Sequence, residues 1–190
     1  EDVLIPKGSD CFMAGDEISF IASPKDITDF FLKLGLEYTP VRDCMIVGGG
    51  RVSYYIAKYC KETHLKLKLK IIETNRERCE FLAEEFPECS IINGNGIDQE
   101  LLKREGIETT DAFCSLTGFD EENIMLSLYA GKLSDTRLVT KVNRISFENV
   151  IREMNLGSVI YPKQIIAGTE NQVSHVLTHK WELNIGYTRT

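Results

Sequence analysis

Three glycines, Gly48, Gly49 and Gly50, end the apolar run Met45-Ile46-Val47, and the next apolar run, ending in Ile71-Ile72, is closed by an acid, Glu73. Each residue type has a task in holding an anionic nucleotide. Gly48 permits a tight turn, Gly50 lets the main chain approach a pyrophosphate, and a helix opening near Arg51 aims unpaired amides and the positive end of its dipole at that group. Glu73 would accept hydrogen bonds from the ribose hydroxyls. A glycine turn between a core strand and a helix is the plainer reading, but strand, glycines, helix and acid in this order favour an adenine-nucleotide site. Ser53 stands at the third glycine position of the fingerprint, where a glycine would allow close packing of the helix.

Such a site needs strands that end together and helices that begin there. From Val41 onward, short apolar strands alternate with helical patterns, which predicts an α/β, Rossmann-like, doubly wound and mostly parallel six-stranded sheet. The expected strands are Asp43 to Val47, Leu67 to Ile72, Ser90 to Asn93, Ala112 to Leu116, Arg137 to Val142 and Ser158 to Tyr161. Val52, Ile56 and Cys60 mark the buried stripe of the first helix by their spacing, and Phe81 with Leu82 marks the second. Further helices are expected at Gln99 to Arg104, Glu122 to Lys132 and Phe147 to Met154. Residues 1 to 38 stand apart: strands at Val3 to Ile5 and Ile18 to Ala22, then a helix capped by Ser23-Pro24, form a β-β-α fragment too small to bury its own core. Lys163 to Asn184 reads as a terminal helix bearing Trp181. The expected division is therefore 1–38 as a piece that packs on the Rossmann unit, on another chain or on further sequence, 39–165 as the Rossmann domain and 166–190 as a C-terminal helix and tail.

Composition narrows the functional classes. The 190 residues carry a net charge of −7 and 43% hydrophobic residues, the profile of a soluble globular protein with one sizeable core. The acidic balance and scattered basic residues argue against a nucleic-acid surface. The densest basic group, Lys61 through Lys70, alternates with Leu65, Leu67 and Leu69, so its lysines read as the solvated face of a strand. No apolar run approaches the roughly 18 to 20 residues that cross a bilayer, and Glu1-Asp2-Val3 does not open a secretion signal, so the expectation is a cytoplasmic protein. The six cysteines lack the spacing of zinc sites and read as reduced thiols, with Cys44 and Cys114 in core strands. His175 and His179, one turn apart, lack a third ligand and read as helix surface; no metal is expected.

Four later segments complete a resemblance: Gly94-Asn95-Gly96-Ile97-Asp98, Asp111-Ala112, Thr117 to Ile124 and Lys141-Val142-Asn143. With the glycine loop and Glu73, they resemble the regulatory proteins of Trk/Ktr potassium-uptake systems (TrkA-like, with an RCK/KTN nucleotide-binding N-domain). Thr117 to Ile124 is the telling piece, because generic Rossmann enzymes do not require it. Pro6-Lys7-Gly8 and Ala14-Gly15-Asp16-Glu17 resemble the end of that family's small C-terminal ligand domain, which implies a tandem protein. The resemblance further implies a cytoplasmic gating subunit, peripheral at the inner face of the membrane. It would form homo-oligomeric rings beneath a membrane-embedded potassium transporter and respond to NAD(H), or to ATP and ADP. By residue, it places Gly48, Gly50 and Arg51 at the pyrophosphate, with Gly49 and Val52 also among the cofactor-binding residues, Glu73 at the ribose, Asn95 and Gly96 at the adenine edge, and Thr117 and Lys141 in the crevice beyond. Asn95 and Asn75 stand where the family has acids. Glu73 disfavours a 2′-phosphate, which favours NAD over NADP.

Two other functions use the same glycine loop. An NAD-dependent oxidoreductase would need an acid or base beside the nicotinamide. His64 falls in the turn before the second strand, on the wrong side of the sheet, and Tyr54 and Tyr55 on the first helix read as packing residues. An S-adenosylmethionine methyltransferase shares the loop and the acid but explains Thr117 to Ile124 less well. No catalytic residues are assigned, and the expectation is a binding module.

Overall fold

A computed structural model describes residues 7–11, 24–33, 41–144, 151 and 153–162. Its elements run α1 (Pro24–Lys33), β1 (Asp43–Val47), α2 (Arg51–Glu62), β2 (Lys68–Glu73), α3 (Arg76–Glu85), β3 (Ser90–Asn93), α4 (Gln99–Arg104), β4 (Ala112–Ser115), α5 (Asp120–Leu133), β5 (Arg137–Lys141) and β6 (Ser158–Ile160). The strands form one sheet in the order β3-β2-β1-β4-β5-β6, and every neighbouring pair is parallel. The chain therefore winds outward from β1 in one direction and from β4 in the other, as the alternating pattern predicts.

Successive residues of a strand face opposite sides of a sheet, and here both sides are covered. Cys44, Ile46, Leu69, Ile71 and Cys114 pack with Ile56 and Ala57 of α2 and Leu82 of α3. Met45, Val47, Ile72 and Phe113 pack with Leu101 and Leu102 of α4 and with Leu126 and Ala130 of α5. Each fully buried side chain of this size contributes about 1.5–3 kcal/mol by leaving water. All this apolar anchoring serves to hold the carboxyl ends of β1, β2 and β4 at fixed spacing. Cys44 and Cys114 are buried as expected, with their sulfurs 3.5 Å apart as free thiols.

Three expectations need correction. Phe81 does not share the buried stripe of α3, for it is 41% exposed while Leu82 is fully buried. Consecutive helical residues point about 100° apart, and here only Leu82 points into the core; the Phe81 ring instead stacks on Tyr54 at 6.0 Å. The lysines from 61 to 70 are not one strand face, because Lys61 lies in α2 and Lys70 is tied to Glu105 by a 3.2 Å ion pair. Tyr55 is 57% exposed, so of the two tyrosines only Tyr54 packs against the core.

Pro24 opens α1 as its type suggests. The expected strands at 3–5 and 18–22, residues 147–150 of the expected helix at 147–154 and the terminal helix with His175, His179 and Trp181 lie outside the described residues. No helix among the described residues is long and apolar enough to cross a membrane.

Candidate nucleotide-binding site

The loop leaving β1 has the backbone its residue types require. Gly48 adopts φ +102°, and a Cβ there would lie 2.9 Å from the Leu116 carbonyl group and the Thr117 nitrogen. Only glycine combines that left-handed conformation with so close an approach to the end of β4. Gly49 is closed in on its other side, since a Cβ would meet Leu82 at 2.9 Å and the Glu73 side chain at 3.0 Å. Gly50 differs from both: a Cβ there would meet nothing within 4 Å. The loop is thus pinned to protein at Gly48 and Gly49 and faces open space at Gly50.

Gly50 is also the N-cap of α2, and no side chain caps this helix. The first amides of a helix have no intrahelical acceptor, so those of Arg51 and Val52 are left to face the open side, where an anion would satisfy them. Arg51 is exposed beside them; the Val52 side chain packs against the core, leaving its main chain to the site. Ser53, at the departing glycine position, is fully buried, and its hydroxyl donates to the Gly48 carbonyl. The serine fits beneath the loop and closes it with a hydrogen bond that glycine lacks.

Glu73 ends β2 facing this loop. Its Oε2 accepts the Gly49 N–H at 2.7 Å, and its Oε1 accepts the Asn75 N–H at 2.8 Å and the Thr74 hydroxyl at 3.2 Å. The carboxylate is held in one orientation with its outer edge half-exposed, the arrangement needed to receive sugar hydroxyls. Asn75 has a separate occupation: its side chain caps α3 by accepting the Arg78 N–H at 2.8 Å. An asparagine caps as well as an aspartate does, so the missing acid leaves the helix start intact.

The far wall comes from β3, β4 and β5. Gly96 packs on the end of β1, where a Cβ would lie 2.1 Å from a Val47 methyl carbon. Asn95 is exposed, and its side chain folds locally to accept the Ile97 N–H at 3.1 Å. Thr117 follows β4, its hydroxyl in a turn with the Phe119 main chain. The half-buried Lys141 ammonium donates to the Leu116 carbonyl at 3.2 Å. Burial pushes its pKa below the ordinary lysine value, and the Asp120 carboxylate opposes that shift. All the candidate residues therefore gather at the carboxyl ends of the strands, around the switch point between β1 and β4. Asn95 is the loosest member, its side-chain hydrogen bond staying within its own loop.

Residues without an assigned role in the sequence also build the site. Asn123, fully buried in α5, accepts the Thr117 N–H at 2.9 Å and donates to the Thr117 and Lys141 carbonyls at 3.3 and 2.9 Å. It fixes the spacing between the ends of β4 and β5. Asp120 accepts the main-chain N–H groups of Asn143 and Arg144 at 2.8 and 2.9 Å, tying α5 to the segment after β5. Arg78 donates to the Gly49 and Gly50 carbonyls at 2.6 and 3.3 Å. By contrast, Asp111 works at the opposite end of the sheet, accepting the Arg42 and Asp43 N–H groups at 2.7 and 3.2 Å.

Comparison with known proteins places this arrangement. The chain is 32% identical over 176 residues to the Trk system potassium uptake protein TrkA of Halomonas elongata, covering 93% of this chain and 36% of that protein. It is 36% identical over 160 residues to the protein of the same name from Haemophilus influenzae, covering 84% of this chain and 34% of that one. The chain thus spans about a third of the length of these curated relatives. Among solved structures, the TrkA-N domain of the inner membrane protein ybaL from Escherichia coli superposes with a TM-score of 0.58 at 19% identity, over 68% of this chain and 94% of that one. A GsuK channel bound to NAD superposes with a TM-score of 0.56 at 15% identity, over 78% of this chain and 32% of that one. The model of the TrkA-N domain matches residues 44–162, a span that begins in β1, ends after β6 and includes every wall of the crevice, and the chain belongs to that family.

Proposed function

We propose that this chain is the nucleotide-sensing part of a regulatory subunit of a Trk-type potassium uptake system, and that it binds NAD(H), with ATP and ADP as competing ligands. The observation that carries this reading is the set formed by Glu73, Gly49 and Gly50: a fixed carboxylate beside a glycine loop whose open side meets an uncapped helix start. The residues fit a dinucleotide. Gly48, Gly49, Gly50, Arg51 and Val52 would hold the pyrophosphate, Glu73 the adenosine ribose, Asn95 and Gly96 the adenine edge, and Thr117 and Lys141 the portion beyond. The lone Glu73 carboxylate repels a 2′-phosphate, which favours NAD(H) over its phosphorylated form. The names of the relatives support the potassium system, and the NAD bound to a channel of similar fold supports the ligand.

In this reading the domain catalyses nothing. Its partners are a membrane-embedded potassium transporter and further copies of itself in a ring at the inner face of the membrane. Residues 1–38 belong to a preceding small ligand domain, 39–165 to the nucleotide domain and 166–190 to a terminal helix and tail. A nucleotide acts only through different affinities for two conformations of the assembly; equal affinity would shift nothing. The test is mass identification of any small molecule that copurifies with the intact protein, followed by competition among NADH, NAD, ATP and ADP. Displacement of a fluorescent adenine nucleotide by NADH is the expected result. Failure of all four to bind, or binding that survives Gly50→Asp, would overturn the proposal.

A further inference from the structure

We infer that Arg78 is a positioning residue of this nucleotide site, one that aims main-chain amides of the glycine loop without touching the ligand. The inference rests on the reading of the site given above. Arg78 stands in the first turn of α3, where the helix dipole disfavours a cation and favours an acid such as its neighbour Glu77. Something must hold it there, and two sets of contacts do. Its Nε donates to the Gly49 carbonyl at 2.6 Å and its Nη2 to the Gly50 carbonyl at 3.3 Å. Its guanidinium plane also lies 4.9 Å from the centre of the Phe81 ring and 5.9 Å from that of Tyr54. The two rings stack on each other, so they form a fixed platform at the flank of α2 and α3.

The consequence follows from peptide geometry. Among the described residues every peptide bond is trans, and in a planar trans peptide the C=O and the following N–H point in opposite directions. Drawing the Gly49 carbonyl towards Arg78 turns the Gly50 N–H away from it; drawing the Gly50 carbonyl the same way turns the Arg51 N–H away. The Gly49 N–H is separately held by Glu73 at 2.7 Å. The loop thus has its amides divided, one committed to the carboxylate and two directed at the open side; the Gly50 carbonyl is also held by the Tyr54 N–H at 3.1 Å, so it is the Gly49–Gly50 peptide that glycine's backbone freedom would otherwise let rotate. This also explains why an exposed aromatic, Phe81, stands on the wrong side of its helix for the core: it supports the arginine.

A residue acting through loop amides affects the phosphate portion of the ligand and leaves the nucleoside portion alone. The full-length protein and its Arg78→Met and Arg78→Lys variants are titrated with NADH, ADP and adenosine, with circular dichroism and melting followed in parallel. Arg78→Met is expected to weaken NADH and ADP by about tenfold or more, the loss of a hydrogen bond to a charged group, with adenosine unchanged. Arg78→Lys, which keeps the charge but lacks the two-pronged fork, is expected to fall between. Equal weakening of all three ligands, or no change in any, would overturn the inference. Should Arg78→Met fail to fold, the ratio of NADH to adenosine affinity in Arg78→Lys decides in the same way. If the unaltered protein binds none of the three, the site itself is misassigned and the inference falls with it.

Discussion

The Glu73 carboxylate and the Gly49 main-chain N–H are joined at 2.7 Å, a bond that fastens the end of β2 to the loop leaving β1. One residue is therefore a brace within the fold and, in the proposed reading, also the group that would face a ligand's sugar. Replacing Glu73 by Gln retains a single carbonyl oxygen for the Gly49, Asn75 and Thr74 donors, and it removes the charge. Stability should fall by about 1–3 kcal/mol in urea unfolding. NADH should bind more weakly, while the preference for NADH over NADPH shrinks because nothing then repels the 2′-phosphate. A titration in which both ligands weaken by the same factor would separate Glu73 from the ribose.

Gly48 and Gly50 should respond differently to substitution although they are two residues apart. Gly48→Ala introduces a Cβ at φ +102° within 2.9 Å of the Leu116 and Thr117 main chain, neither of which can give way. A loss of about 2–5 kcal/mol is expected from backbone strain and overpacking together. Gly50→Asp places its side chain in open space, so the stability in urea unfolding should stay within about 0.5 kcal/mol of the parent, as for an ordinary surface change. Its carboxylate would nonetheless occupy the anion position, and NADH binding should be lost. A stable Gly48→Ala, or a Gly50→Asp that binds normally, would contradict this division.

Asn123 offers a test of the wall opposite Glu73. Ala in its place leaves the part-buried Thr117 N–H and the Lys141 carbonyl without their partner, at a cost of about 2–4 kcal/mol. Asp in its place keeps the acceptor for Thr117 but offers no donor to the two carbonyls, so it should also destabilise the fold. Urea unfolding at neutral pH measures both. If either variant matches the parent, the ends of β4 and β5 are held by other means.

The sheet was readable because its elements are locally determined. Six apolar runs with polar punctuation specify parallel strands, and Gly48 can hardly be anything but a turn before a helix. The glycine loop and Glu73 were likewise legible, since each contributes chemistry by residue type alone. Asn123 and Arg78 were not. Asn123 reads as one polar residue among several in an acidic helix start, and only the meeting of β4, β5 and α5 shows that its amide joins two strand ends. Arg78 left a faint trace, a cation in the first turn of a helix, but its partners lie in the loop of the neighbouring strand, 28 and 29 residues earlier, and no spacing in the sequence connects them. Phe81 misled for the complementary reason: an aromatic beside a core leucine looks apolar to a periodicity, whereas its use is to carry a guanidinium.

Asp120 supplies a pH dependence whose sign can be worked out. Burial raises its pKa, but the Asn143 and Arg144 main-chain N–H groups and their side chains lower it further, and the net position is below the ordinary carboxylate value. As pH falls, the unfolded chain takes up this proton before the folded one does. The stability contributed by Asp120 is thus fully present above its unfolded pKa of about 4 and is lost as pH drops through the lower folded value. Asp120→Asn forfeits the charge on those hydrogen bonds and should be less stable by about 2 kcal/mol at pH 7. In urea unfolding at successively lower pH, the gap between parent and variant should hold down to about pH 5 and then close. A gap that stays constant into strong acid would mean that the junction between α5 and the segment after β5 does not depend on the Asp120 charge.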